Sequence, residues 1–183
     1  MHVIESIKPI VHAQPRRKLK KFSEIEVWRA IGAGWKQLHG SFRDSGVSFE
    51  WHDFKADEPL DWAKSFHPGS LEICFNLAGT GSVTCGPARA DYTPLTAGFY
   101  SCGAGPMQAV RNVGEKHHFL TVEFSPDYLR KHLGDKKGVL HPLVERIVSG
   151  EKAMAGVTPA IRLSNRQREL ISSLCEPPVI QAA

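Results

Sequence analysis

Leu71, Ile73, Phe75 and Leu77 recur at every second position, and Glu72, Cys74 and Asn76 fill the positions between them. That alternation predicts a strand with two chemically different faces, one that packs and one that is available. Ala78-Gly79-Thr80-Gly81 supplies a turn, Ser82 to Cys85 a short second strand, and Gly86-Pro87 another turn; Pro94 to Gly98 makes a third before Phe99-Tyr100-Ser101-Cys102. Upstream, Asp44-Ser45-Gly46 is a turn. Val47, Phe49 and Trp51 then alternate with Ser48, Glu50 and His52 as a half-buried strand. Downstream, Asn112-Val113-Gly114-Glu115 reads as a turn, and Phe119, Leu120, Val122 and Phe124 as a last strong strand. Several short strands divided by glycine turns predict a barrel or a sandwich.

The periodicity then changes. Ser125-Pro126-Asp127 offers a capping hydroxyl, a proline at the first helical position and an acid in the first turn, with Gly134 as the stop. A second helix is expected from His141-Pro142 to Gly150, with Leu143, Val144, Ile147 and Val148 on one face. A third starts at Ser164, where Gln167 completes a capping box, and carries Leu170, Ile171 and Leu174 as far as Glu176-Pro177-Pro178. Val179 to Ala183 reads as the first turn of a further helix that the chain does not complete, which is what a piece of a longer polypeptide would show. At the other end, residues 1–21 form an arm with the basic run Arg16 to Lys21, while Phe22 to Trp35 carries no assignable pattern.

Length and composition narrow the field. A chain of 183 residues, 42% of them hydrophobic, can bury a core without metal or disulfide staples. Twenty-three Lys and Arg against 19 Asp and Glu leave a net charge of +4, too mild to predict nucleic-acid binding. His2, Glu5 and Lys8 interrupt what a secretory signal would need, and no window reaches about 18 apolar residues, so a cytoplasmic location is expected. Cys74, Cys85, Cys102 and Cys175 show no CxxC spacing and read as reduced, structural residues.

Strands first and helices after, with the step at Phe124-Ser125-Pro126, is an arrangement that resembles the N-terminal sensor portion of an AraC/XylS-family bacterial transcription regulator. The resemblance is carried by the strand and turn from Leu71 to Gly79, by Leu95-Thr96-Ala97-Gly98 before Phe99-Tyr100, by Phe124 to Leu129, and by Leu174-Cys175-Glu176-Pro177-Pro178. It spans roughly residues 45–183. It implies a mainly β chain with C-terminal helices: an arm over 1–21, a cupin-like (double-stranded β-helix) barrel over 22–124, and a helical dimerisation and linker region over 125–183. It further implies an effector-sensing domain acting as a homodimer through the C-terminal helices, with the helix-turn-helix DNA-binding units outside this chain.

Many cupins are metal enzymes, and the alternative is a small metal-dependent oxygenase or isomerase. Cupin metal sites resemble two histidines one residue apart, a following glutamate and a later histidine, because a transition metal needs three or four converging N and O donors. Here His67 and Glu72 could fill two of those slots. Gly69 stands in place of the second histidine, and no histidine occurs between His67 and His117. No metal, no cofactor and no catalytic residue is therefore expected. No GxSxG elbow is present, and the Gly79 and Gly103 turns lack the GK[ST] ending of a phosphate loop. The remaining expectation is a small-molecule effector in the barrel interior, with Trp51, Phe99 and Tyr100 as apolar or stacking walls and His67, Glu72, Asn76 and His118 as polar anchors. A barrel filled by its own side chains, serving only dimerisation, stays open beside it.

Overall fold

The computed structural model describes residues 34–136, 138–151 and 155–175. The expected arm, nearly all of the segment up to Trp35, and the closing turn at 179–183 lie outside these residues. The strands are β1 (Trp35–Ser41), β2 (Val47–Lys55), β3 (Leu60–Asp61), β4 (Leu71–Ala78), β5 (Gly81–Cys85), β6 (Ala88–Tyr92), β7 (Thr96–Ser101), β8 (Met107–Arg111) and β9 (Lys116–Phe124), with a 3-10 turn at Trp62–Ser65. After β9 come α1 (Pro126–Leu133), α2 (Pro142–Val148), β10 (Gly156–Val157), β11 (Ile161–Arg162) and α3 (Asn165–Cys175).

All pairings are antiparallel. One sheet runs β1-β2-β9-β4-β7-β10, with β11 also on β7; the facing sheet runs β3-β8-β5-β6. From β4 onward the chain passes from the first sheet to the second and back twice, which winds the strands into a mainly β, two-sheet cupin-like barrel followed by a few helices.

Register decides the faces. Across the larger sheet Ser48, Glu123, Glu72 and Tyr100 form one rung, Glu50, Thr121, Cys74 and Gly98 the next, and His52, Phe119 and Asn76 a third. These rungs point between the sheets, where Cys74, Tyr100 and Phe119 pack with Phe54, Trp62, Phe66, Val83, Ala90, Tyr92 and Ala109. The apolar set of β4 points the other way. Val47, Ala97, Leu120 and Val122 form a second core with Phe49, Phe75, Leu163 and Ile171, and Leu71 joins a third with Leu129, Leu143, Ile147 and Val148. The expectation of one packed face and one available face is thus replaced by a sheet covered on both sides. Its polar face is the barrel interior, and its apolar face is sealed by the segment after β9.

That segment is tied down by local chemistry that its sequence specifies. Ser125 Oγ accepts from Tyr128 N at 3.1 Å at the head of α1, and His141 Nδ1 accepts from Leu143 N at 3.2 Å at the head of α2. The box before α3 forms reciprocally: Gln167 N donates to Ser164 Oγ (3.3 Å) while Ser164 N donates to Gln167 Oε1 (2.8 Å). Between α2 and α3, β10 and β11 add to β7, so the region expected to be helical contributes to the sheet. Thr158 Oγ1 clamps this addition, accepting from Phe99 N at 3.0 Å and donating to Phe99 O at 2.9 Å.

Candidate functional site

The barrel interior is more polar than an ordinary core. Three glutamates face into it or its rim, each held by a donor. Trp35 Nε1 donates to Glu50 Oε2 at 3.0 Å, and Tyr100 Oη donates to Glu72. Glu123 accepts from His67 twice, from the backbone N–H at 3.1 Å and from Nδ1 at 2.8 Å. Glu72 and Glu123 are direct cross-strand neighbours, an arrangement of like charges that separate donors on each carboxylate offset. Phe42 stacks on the His67 ring at 3.8 Å and thereby closes one side of the mouth.

Deeper in, His52 lies flat on Phe119 at 4.3 Å, with Nε2 in hydrogen-bond contact with Thr121 Oγ1 at 3.1 Å. Burial, and then the field of Arg111, hold its pKa well below the ordinary 6.5, so the ring is neutral. Burial likewise pushes the Cys74 thiol up to about 12, and burial and Glu72 push Tyr100 well above its usual value of 10.0. The Cys74 thiol and the Tyr100 hydroxyl are therefore protonated at neutral pH; the thiol sulfur accepts from Arg111, and the hydroxyl donates to Glu72.

Arg111 rises from β8 on the facing sheet and spans the interior. Its Nη1 donates to Asn76 Oδ1 at 2.8 Å and its Nη2 to Cys74 Sγ at 3.4 Å. Asn76 is itself fixed, because its amide donates at 2.8 Å to both Gly79 O and Thr93 O. Three aromatic rings surround the guanidinium: Phe119 at 3.9 Å, Trp62 at 4.5 Å and Tyr92 at 5.9 Å.

Of the seven side chains expected to line a ligand chamber, the structure brings four together inside: His67, Glu72, Asn76 and Tyr100. The other three are corrected. Trp51 and His118 meet edge to face at 4.1 Å on the outer face of β2 and β9. Phe99 also points outward and packs edge to face on His141 at 4.9 Å, in an apolar cleft of about 470 Å³ shared with Ile73, Phe75, Pro159 and Ile161. Strand alternation placed each of these opposite its inward neighbour, His52, His117 or Tyr100. Arg111, His52, Glu50 and Glu123 were not anticipated. The signal for three of them was the alternation itself, once the polar face is taken as the inward one.

A transition metal does not fit this donor set. His67 is engaged by Glu123 and Glu72 by Tyr100, and among the described residues no three His, Cys, Asp or Glu side chains are grouped to hold an ion. Among the same residues no helix is long and apolar enough to cross a membrane.

No family model and no curated protein matches the sequence. Solved structures similar in fold include a bacterial pirin from Escherichia coli in complex with nickel(II), at 11% identity and a TM-score of 0.43, covering 71% of this chain and 51% of that one. An HTH_3 family transcriptional regulator from Vibrio cholerae matches at 15% identity and a TM-score of 0.39, over 50% of each chain. A cupin superfamily protein from Desulfitobacterium hafniense matches at 14% identity and a TM-score of 0.36, over 50% of this chain and 75% of that one. The chain spans about half the length of the pirin and of the regulator.

Proposed function

We propose that this chain is the effector-sensing and dimerisation domain of an AraC/XylS-type transcription regulator, not itself an enzyme and not itself the DNA-binding part. The observation that carries this reading is the division of labour on β7. Tyr100 points inward to Glu72, while its neighbour Phe99 points outward and is clamped through its backbone to Thr158 of the connector. An effector that rearranges the Tyr100–Glu72 pair shifts the strand to which the connector is fastened. A change inside the barrel thereby reaches α3 without a separate relay. Such a ligand acts only through a difference in affinity between two arrangements of barrel and connector.

The face that would receive the output is apolar. Leu170 and Leu174 on α3 are 55% and 54% exposed and Ile161 on β11 is 65% exposed, while Ile171 is buried on the sheet. A second copy of the chain meeting this face would cover side chains that are otherwise unfavourably hydrated.

The test is a thermal-shift screen of metabolites followed by sedimentation with and without any hit. A compound that raises Tm and changes the monomer–dimer equilibrium supports the sensor. If no compound does either, only a dimerisation role remains. Stoichiometric iron, zinc or manganese in the purified protein would instead support the metal-dependent oxygenase or isomerase alternative.

A further inference from the structure

We propose that the guanidinium of Arg111 is the anchor for the carboxylate of a small organic acid, which binds along the edge formed by its Nε and Nη2. This rests on the reading of the barrel interior as the effector chamber and names the chemical class of the effector.

Arg111 is 1% exposed, yet among the described residues no carboxylate stands within ion-pair distance of it, and its Nε has no hydrogen-bond partner. Arginine keeps its charge in proteins, and a buried charge without a counter-charge costs several kcal/mol by the general scale. The surroundings hold the cation without neutralising it. Phe119 and Trp62, whose rings stand 76° to each other with centroids 5.0 Å apart, cover adjacent sides of the guanidinium, and its own hydrogen bonds form in its plane. In that plane the Nη1 position is filled by Asn76, and the bidentate edge holds one weak acceptor, the Cys74 thiol at 3.4 Å, beside an Nε–H with no acceptor. Side-on pairing of a carboxylate with Nε and Nη2 is the strongest interaction that this fork can make.

Two further features fit an anion receptor. With a pKa pushed up to about 12, Cys74 cannot supply the missing negative charge as a thiolate. Burial first, and then the positive charge of Arg111, lower the pKa of His52 and of His117, so neither ring adds a second cation beside the guanidinium. On the facing sheet, a Cβ at Gly81 would lie 3.0 Å from Arg111 Cδ, so this glycine provides the passage for the arginine stem.

The experiment is a titration of the full chain with acetate, pyruvate and benzoate against acetamide and benzamide, followed by calorimetry, Tm and the fluorescence of Trp62. The acids are expected to bind, raise Tm and change an emission signal that Trp62→Phe removes; the amides are not. Arg111→Lys, which keeps the charge and loses the fork, is expected to weaken acid binding by about tenfold or more. Cys74→Asp, which places a carboxylate in the fork from the chain itself, is expected to fold and to lose the response to free acids. Acids binding no better than amides, or equally to Arg111→Lys, would overturn the proposal. If neutral compounds bind and acids do not, the ligand class falls and the sensor reading stands. If acids bind through Arg111 yet leave self-association unchanged, the site stands and the regulatory reading falls.

Discussion

Tyr92 and Gly98 determine each other's place in the barrel. A Cβ at Gly98 would lie 2.8 Å from Tyr92 Oη, and Tyr92 is one of the rings around Arg111, so the space left by this glycine holds part of the polar interior in position. Gly98→Ala is expected to lower stability by about 1–3 kcal/mol through overpacking, read as a fall in the urea midpoint. His52 governs a second outcome. Because its folded pKa is depressed, the unfolded chain binds more protons below the ordinary value of 6.5; the stability this represents is complete above that pH and is lost as pH falls. His117 and His118, also lowered first by burial, act in the same direction. Tm is expected to be level above that value and to drop below it, with His52 contributing a limiting slope of about 1.4 kcal/mol per pH unit. His52→Gln should flatten the curve, and an unchanged acid limb would show that other groups dominate. At this scale the sequence pointed to Glu72, Asn76, His67 and Tyr100, which face the interior, but not to Arg111. A lone arginine ending a five-residue strand has the pattern of a solvated terminus, and only the sheet facing it turns it inward.

Elements were legible where their signals are local. The strands around 47–55, 71–78 and 116–124 and the three helices follow from period and capping chemistry within a few residues. Removing the reciprocal box before α3 by Ser164→Ala is expected to cost about 1 kcal/mol, seen as earlier unfolding in urea. By contrast, β10 and β11 have two residues each and no period to display. They are strands only because β7 offers an edge and Thr158 closes the link. Thr158→Val removes both hydrogen bonds to Phe99 while keeping the side-chain volume. It is expected to raise amide exchange at Val157 and Ile161 before the barrel strands are affected.

For the molecule as a whole, a boundary at 124/125 does not separate two independent bodies. The outer face of the large sheet carries Phe49, Phe75, Leu120 and Val122, and it is α3 and its approach, through Leu163 and Ile171, that remove this surface from water. A chain ending at residue 124 is therefore expected to aggregate or to bind hydrophobic dyes, where the longer chain does not. The same geometry leaves Leu170 and Leu174 half exposed beside Ile171, along a cleft that α3 forms with Phe49, Phe75 and Leu120 of the sheet. The double variant Leu170→Gln and Leu174→Gln is expected to sediment as a monomer with unchanged circular dichroism; a dimer of undiminished affinity would place the interface elsewhere.

From the order of residues alone came the class of fold and the places where strands and helices begin, because each depends on neighbours a few positions apart. Which face of the central strand is the interior was a tertiary decision. Alternation marks two faces but not which of them meets another layer, and here both do. The enclosure of a cation between Asn76, Cys74 and three aromatic rings was decided in the same way, since it joins β8 to β4 across two sheets that the sequence keeps more than 30 positions apart.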